Sequence, residues 1–212
     1  MSYPTELFCD AASQSLKELL EEFPIHDYME IGCYKGVNAV GVMYAIQPGG
    51  TMWLLDYYDM VERTGALIQE TVKKVPLQND LTVRGVGNSR KDHDSYCWSL
   101  GNLLLAPGTP ELDCVFLDGA HTWHHDGFAA LLAAEMLRPG GFLVLDDCYW
   151  SMQASGSMRP EVRPETEEEY TSEQIRVPQV QMVALLMQRK PDFELFRVCD
   201  DNDNKRIYRK RA

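Results

Sequence analysis

Three aspartates stand where chemistry is usually done. Asp118 ends the apolar run Leu112–Leu117, and the pair Asp146-Asp147 ends the run Gly141–Leu145. Short apolar runs without polar alternation read as parallel strands covered on both faces. In an open α/β sheet, ligands collect just beyond the carboxyl ends of the strands, so all three carboxylates would meet a ligand and could orient its hydroxyl or amine groups. The same aspartates could instead cap the helices that follow them, a common task for this residue.

The elements that must position them follow a regular order. An amphipathic helix over 5–23 forms an N-terminal cap within residues 1–26, and Pro24 ends it. The strand Tyr28–Ile31 runs into Gly32-Cys33-Tyr34-Lys35-Gly36 and a helix from Val37 to Ile46, closed by Gln47-Pro48-Gly49-Gly50. Strand two is Met52–Leu55, ending in Asp56; a helix covers 61–75; strand three is Leu81–Arg84, with the turn Gly85-Val86-Gly87-Asn88-Ser89 after it. Asp92 or Asp94 is placed to cap a helix reaching Leu105. After the central unit, another helix starts around Asp126, residues 151–176 form a long acidic lid or substrate loop, and Val177–Met187 is the last helix. The runs Phe193–Val198 and Arg206–Arg209 flank a turn and form a terminal hairpin. The predicted fold is a doubly wound, Rossmann-like α/β sheet of seven strands, mostly parallel with a C-terminal antiparallel hairpin and helices on both faces, in a single domain over 1–212.

Composition narrows the function. A net charge of -12 over 212 residues argues against affinity gained by neutralising phosphates, so no nucleic-acid partner is expected. No apolar stretch approaches the roughly 18 residues of a membrane span, and MSYPTELFCD is no signal peptide, so no membrane association and a cytoplasmic protein are expected. The cysteines 9, 33, 97, 114, 148 and 199 form no C-x-x-C and read as small core residues in a reducing compartment.

The order of elements and the loop Glu30-Ile31-Gly32-Cys33-Tyr34-Lys35-Gly36, an E/D-x-G-x-x-x-G pattern, resemble the class I S-adenosylmethionine-dependent methyltransferases. A nicotinamide oxidoreductase is disfavoured because G-x-G-x-x-G is missing. The resemblance implies S-adenosyl-L-methionine as cofactor, with Glu30, Gly32, Cys33, Tyr34 and Gly36 around its methionine end, Asp56 and Tyr57 at the ribose, and Asn88 and Ser89 at the adenine. A frequent acidic residue of the family is Asn at position 88. The turn Leu137-Arg138-Pro139-Gly140-Gly141 is also typical.

Within that superfamily, FLDGAHTW and LRPGGFLVLDD resemble the small-molecule O-methyltransferases, including the metal-dependent catechol type. That likeness implies Mg²⁺ held by Asp118, Asp146 and Asp147, where hard oxygen ligands suit the ion, and a small-molecule acceptor. His121 falls where the catechol type carries a basic lysine. Histidine accepts a proton near neutral pH, so His121 is the candidate general base, with Asp118 beside it as a catalytic and cofactor-contacting residue. A zinc site from His121, His124 and His125 lacks any further ligand pattern. Trp123, Tyr149, Trp150 and Met152 either pack at the sheet edge or line an apolar acceptor pocket.

Two other readings stay open: a metal-independent methyltransferase whose aspartates orient an amine or alcohol directly, and a non-catalytic fold used for binding or assembly. The N-terminal helix and the acidic loop are candidate contact surfaces for a homo-oligomer.

Overall fold

The computed structural model describes residues 13–77, 79–91, 93–199 and 204–212. Most of the first turns of the predicted N-terminal helix, the cap at Asp92 and the centre of the hairpin turn lie outside the described residues.

Seven strands form one sheet in the order β3-β2-β1-β4-β5-β7-β6. Strands β1 (Asp27–Ile31), β2 (Thr51–Tyr57), β3 (Thr82–Asn88), β4 (Leu112–Leu117) and β5 (Leu137–Leu145) are parallel. Strand β7 (Lys205–Lys210) runs antiparallel between β5 and β6 (Phe193–Cys199). The fold is the expected Rossmann-like one.

Alternation along the strands divides the core. Tyr28, Leu54, Phe116, Val144 and Ile207 point to one face, where they meet α1 (Gln14–Glu22) and α2 (Val37–Val42). Met29, Ile31, Val115, Leu117 and Leu145 point to the other, under α5 (Trp123–Met136) and α8 (Gln179–Met187). Helix α3 (Tyr58–Lys74) lies on the first face and α4 (Tyr96–Leu105) on the second. With both faces covered, the central strands carry no polar alternation.

The structure corrects several boundaries. The predicted turn Gly85–Ser89 is strand up to Asn88, in register with β2 from Thr51↔Thr82 to Tyr57↔Asn88. Its glycines serve close packing: a Cβ at Gly85 would lie 2.4 Å from Val61 Cγ1, and one at Gly87 would lie 2.1 Å from Tyr58 Cδ1. Helix α2 ends at Val42, before the predicted Ile46, and Asn79 Nδ2 donates to the carbonyls of Met43 and Ile46 in the turn beyond it at 2.9 and 2.8 Å. Helix α4 starts after Ser95, and Asp94 accepts instead from Ser89 N and Asn88 Nδ2.

Residues 151–176 hold a 3-10 turn (Met152–Ala154) and the short helices α6 (Glu165–Glu169) and α7 (Ser172–Arg176). They are anchored by buried Met152, Thr166 and Ile175 and by a capping box between Thr171 and Gln174. Five described cysteines are free thiols, four of them buried, as expected of small core residues.

Candidate active site

A cavity of about 610 Å³ opens at the carboxyl ends of β1, β2, β3, β4 and β5. Among the predicted residues, Gly32, Tyr34, Asp56, Tyr57, Asn88, Asp118, His121 and Asp147 line it. Glu30, Cys33, Gly36, Ser89 and Asp146 do not.

Gly32 takes φ +91°, and its missing side chain lets the β1 loop rest on the β4 loop: a Cβ there would lie 1.8 Å from the Asp118 carbonyl oxygen. The next turn is tied by Asp56, whose Oδ2 accepts from Cys33 N at 2.8 Å and Tyr34 N at 2.9 Å. Asp56 thus joins the ends of β1 and β2 at the wall. Glu30 lies behind it, 1% exposed, accepting from the Tyr28 hydroxyl at 3.0 Å. Burial pushes its carboxyl up to about 8, so it is largely protonated at neutral pH. Gly36 starts α2 at φ +74°, packed against Thr64.

Asn88 is fixed by its neighbours. Its Nδ2 donates to Asp94 Oδ1 at 3.0 Å and to Ser99 Oγ at 2.7 Å, while its buried Oδ1 has no partner among the described residues. A carboxylate can only accept, so the amide nitrogen must face Asp94 and the carbonyl oxygen is left over. Arg90 and Tyr57 add a cationic and aromatic rim: the guanidinium lies 4.3 Å from the Tyr57 ring centre and 2.8 Å from Asp59 Oδ2.

Across the cavity, acidic groups crowd together. Ligand atoms of Asp118, His121 and Asp147 all lie within 4.8 Å of one another. His121 Nε2 is 3.8 Å from Asp118 Oδ1 and 3.5 Å from Asp147 Oδ2. His121 and Asp147 both occupy left-handed backbone, at φ 56° and 51°, which non-glycine residues hold only when their surroundings impose it. Burial first, then the neighbouring Asp146 and Asp147 charges, raises the Asp118 carboxyl to about 8. His121 Nδ1 is buried without a hydrogen bond among the described residues, and Nε2 is the nitrogen that faces the Asp118 and Asp147 carboxylates.

Asp146 was expected beside Asp118 and Asp147 as an equal partner, and its environment differs. Its Oδ1 is held by the ammonium of buried Lys205 at 2.8 Å and by Asp147 N at 2.7 Å. Lys205, the first residue of β7, was not anticipated, because a cation in a turn-rich C-terminal stretch carries no sequence signal. Tyr96, His125 and Ser157 are also on the wall unforeseen. The aromatics suggested for an acceptor pocket are not on it. Met152 is core, Trp150 packs on the His121 ring with centroids 5.0 Å apart, and the Tyr149 hydroxyl accepts from Arg206.

The sheet order and a ligand cavity at the strand ends define a class I methyltransferase fold. A family profile described as "Methyltransferase domain" matches residues 29–148, more than half of the chain, and the protein belongs to that family. Solved structures share the fold at low identity. The O-methyltransferase from Bacillus cereus in complex with SAH has a TM-score of 0.62 at 16% identity, over 100% of this chain and 83% of that one. The O-methyltransferase TomG from Streptomyces achromogenes, involved in tomaymycin synthesis and solved with SAM, gives 0.58 at 17%, over 100% and 82%. The SAH-bound Podospora anserina methyltransferase PaMTH1 gives 0.56 at 12%, over 100% and 80%. No curated protein sequence matches the chain. Among the described residues, no helix is long and apolar enough to cross a membrane.

Proposed function

We propose that this methyltransferase transfers the methyl group of S-adenosylmethionine to a hydroxyl oxygen of a small molecule, with a divalent cation held at the Asp118 cluster. The observation that carries it is the meeting of Asp118, His121 and Asp147 on the wall of the cavity that Gly32, Asp56 and Asn88 also line. Asp56 takes the ribose hydroxyls and Asn88 Oδ1 the adenine amine. His125, Ser157, His121 and Asp147 supply hydrogen-bonding groups for the acceptor.

The residues fit a divalent ion. Of the three carboxylates, Asp146 is paired directly with Lys205, while among the described residues Asp118 and Asp147 have no lysine or arginine within ion-pair distance. Their charge is what a hard divalent ion such as Mg²⁺ balances, and the Asp146 and Asp147 charges add to burial in raising the Asp118 carboxyl. When bound, the ion lowers the pKa of an acceptor hydroxyl. Asp118 and Asp147 hold it, Asp146 fixes the Asp147 amide, and His121 receives the hydroxyl proton at Nε2. The acceptor oxygen is then oriented for in-line displacement at the methyl sulfonium.

Calorimetric titration of S-adenosylhomocysteine into chelator-treated protein tests this, repeated with Mg²⁺ and with a catechol or polyol acceptor mimic. Micromolar binding of S-adenosylhomocysteine, with the mimic binding only after Mg²⁺ is added, is the expected result. Failure of S-adenosylhomocysteine to bind under any condition would sink the methyl-transfer reading; a mimic indifferent to Mg²⁺ would sink the metal.

The fixed Asn88 amide yields a sharper expectation. Because Nδ2 is committed and only an acceptor is left, the 6-oxo analogue S-inosylhomocysteine would set two acceptors against each other. Its affinity is expected to be roughly tenfold or more below that of S-adenosylhomocysteine, the cost of an unmade buried hydrogen bond. Equal affinities in the same calorimeter would remove Asn88 from the adenine site.

A further inference from the structure

The loop that carries Asp118 and His121 is short and lies directly on a buried pair of side chains. Asp126, in the first turn of α5 and 1% exposed, accepts a short hydrogen bond from the Tyr96 hydroxyl. The Ala120 amide donates to both members of the pair, at 3.1 Å to Tyr96 Oη and 3.2 Å to Asp126 Oδ1. Gly119 sits so close that a Cβ would come within 2.4 Å of Asp126 Oδ1 and 2.7 Å of Tyr96 Oη. Burial raises the Asp126 carboxyl, while the Tyr96 hydroxyl and the Ala120 and His121 amides favour its ionised form. Its place in the first turn of a helix favours the charge as well.

We infer that Tyr96 and Asp126 are positioning residues for the reaction centre. They pin the 118–121 loop from below, so that His121 keeps its left-handed backbone and its Nε2 stays between the Asp118 and Asp147 carboxylates. This rests on the reading that those three groups form the centre. Neither residue needs to exchange a proton with the acceptor. Their part is geometric: α4 supplies the hydroxyl, α5 supplies the carboxylate, and the loop between β4 and α5 is clamped where the two helices meet. A displacement of about 1 Å at a reacting group is enough to cost orders of magnitude in rate, so such a clamp belongs to the mechanism.

A purely structural role, satisfying a buried tyrosine, would leave His121 where it is once the protein is folded. The variants Tyr96→Phe, Asp126→Asn and Asp126→Ala separate the two. In metal-free protein with ¹⁵N-labelled histidine, the His121 imidazole signals are assigned by their loss in His121→Gln. In Tyr96→Phe and Asp126→Ala they are expected to shift or broaden, while those of His26, at the opposite end of the sheet, stay fixed. Asp126→Asn keeps an oxygen for Ala120 and Tyr96 and is expected to restore most of the wild-type pattern. In parallel, Mn²⁺ affinity is expected to fall at least tenfold in Tyr96→Phe and Asp126→Ala.

Unchanged His121 signals in folded Tyr96→Phe and Asp126→Ala would overturn the proposal. If Asp126→Ala does not fold, Tyr96→Phe decides alone, since it leaves the acid and its bond to Ala120 in place. Wild-type protein that binds no Mn²⁺, combined with displaced His121 signals in Tyr96→Phe, would refute the metal and uphold the positioning.

Discussion

Gly32→Ala is expected to abolish S-adenosylhomocysteine binding and to lower the melting temperature by roughly 10 °C, a loss of at least about 3 kcal/mol. Two independent penalties combine. At φ +91° an alanine is strained whatever space it has, and the new methyl group would lie 1.8 Å from a backbone oxygen, that of Asp118. A flexible side chain could swing aside, but a carbonyl in the β4 loop cannot move without carrying Asp118 and the loop up to His121 with it. The variant therefore disturbs both halves of the cavity at once. Differential scanning calorimetry and titration with S-adenosylhomocysteine check it; near wild-type values in both would mean that the two loops do not meet at Gly32.

Asp118→Asn is expected to do the opposite to stability while removing the metal. At pH 8 the metal-free variant should melt roughly 5 °C above wild type, and added Mg²⁺ or Mn²⁺ should no longer raise its melting temperature. The sign follows from linkage. Folding raises the Asp118 carboxyl from 3.8 to about 8, so the folded state holds a proton that the unfolded chain has released. That contribution to stability is complete below pH 3.8 and is lost as pH rises through about 8. Metal-free wild type should thus weaken between pH 5 and 8, and a divalent ion should reverse the trend. Asparagine does not titrate, so the variant's dependence should be shallower, though not flat, because buried Glu30 is also raised to about 8 and stays in place. Melting curves at several pH values, with and without the ion, measure this. A variant less stable than wild type at pH 8 would mean that favourable contacts of the Asp118 carboxylate outweigh its burial and its neighbours' charges.

These two residues also mark how far the sequence could be read. The apolar runs before Asp118 and Asp146, and the glycines after Ile31, announce strands, tight loops and strand-end carboxylates, because burial on both faces and sharp turns restrict residue choice strongly. Asp56 could be read from the apolar run before it, whereas Asn88 was reached only through the family resemblance, because the end of the strand that carries it looks like a turn. What escaped reading depends on contacts between distant parts of the chain. Gly85 and Gly87 look like a turn and are strand, because their lack of side chains answers Val61 and Tyr58 on a helix above them. Asp146 looks like Asp118, and only the arrival of Lys205 from β7 distinguishes them. The Tyr96–Asp126 pair joins two helices 30 positions apart and leaves no local pattern. Spacing along one element is visible in a sequence; partnership across elements is not.

The placement of Lys205 has a consequence for how the protein is made. Synthesis proceeds from the N-terminus, so Asp118, Asp146 and Asp147 leave the ribosome before Lys205 has been added. β7 must then enter between β5 and β6 to bring its ammonium to Asp146. Until it does, the nascent sheet ends at β5 with an open edge, and Asp146 lacks its Lys205 partner. A strand translated well after the carboxylates therefore closes the edge of β5 and brings Lys205 to Asp146 in the same step, which links the charge balance of the candidate site to the completion of the sheet.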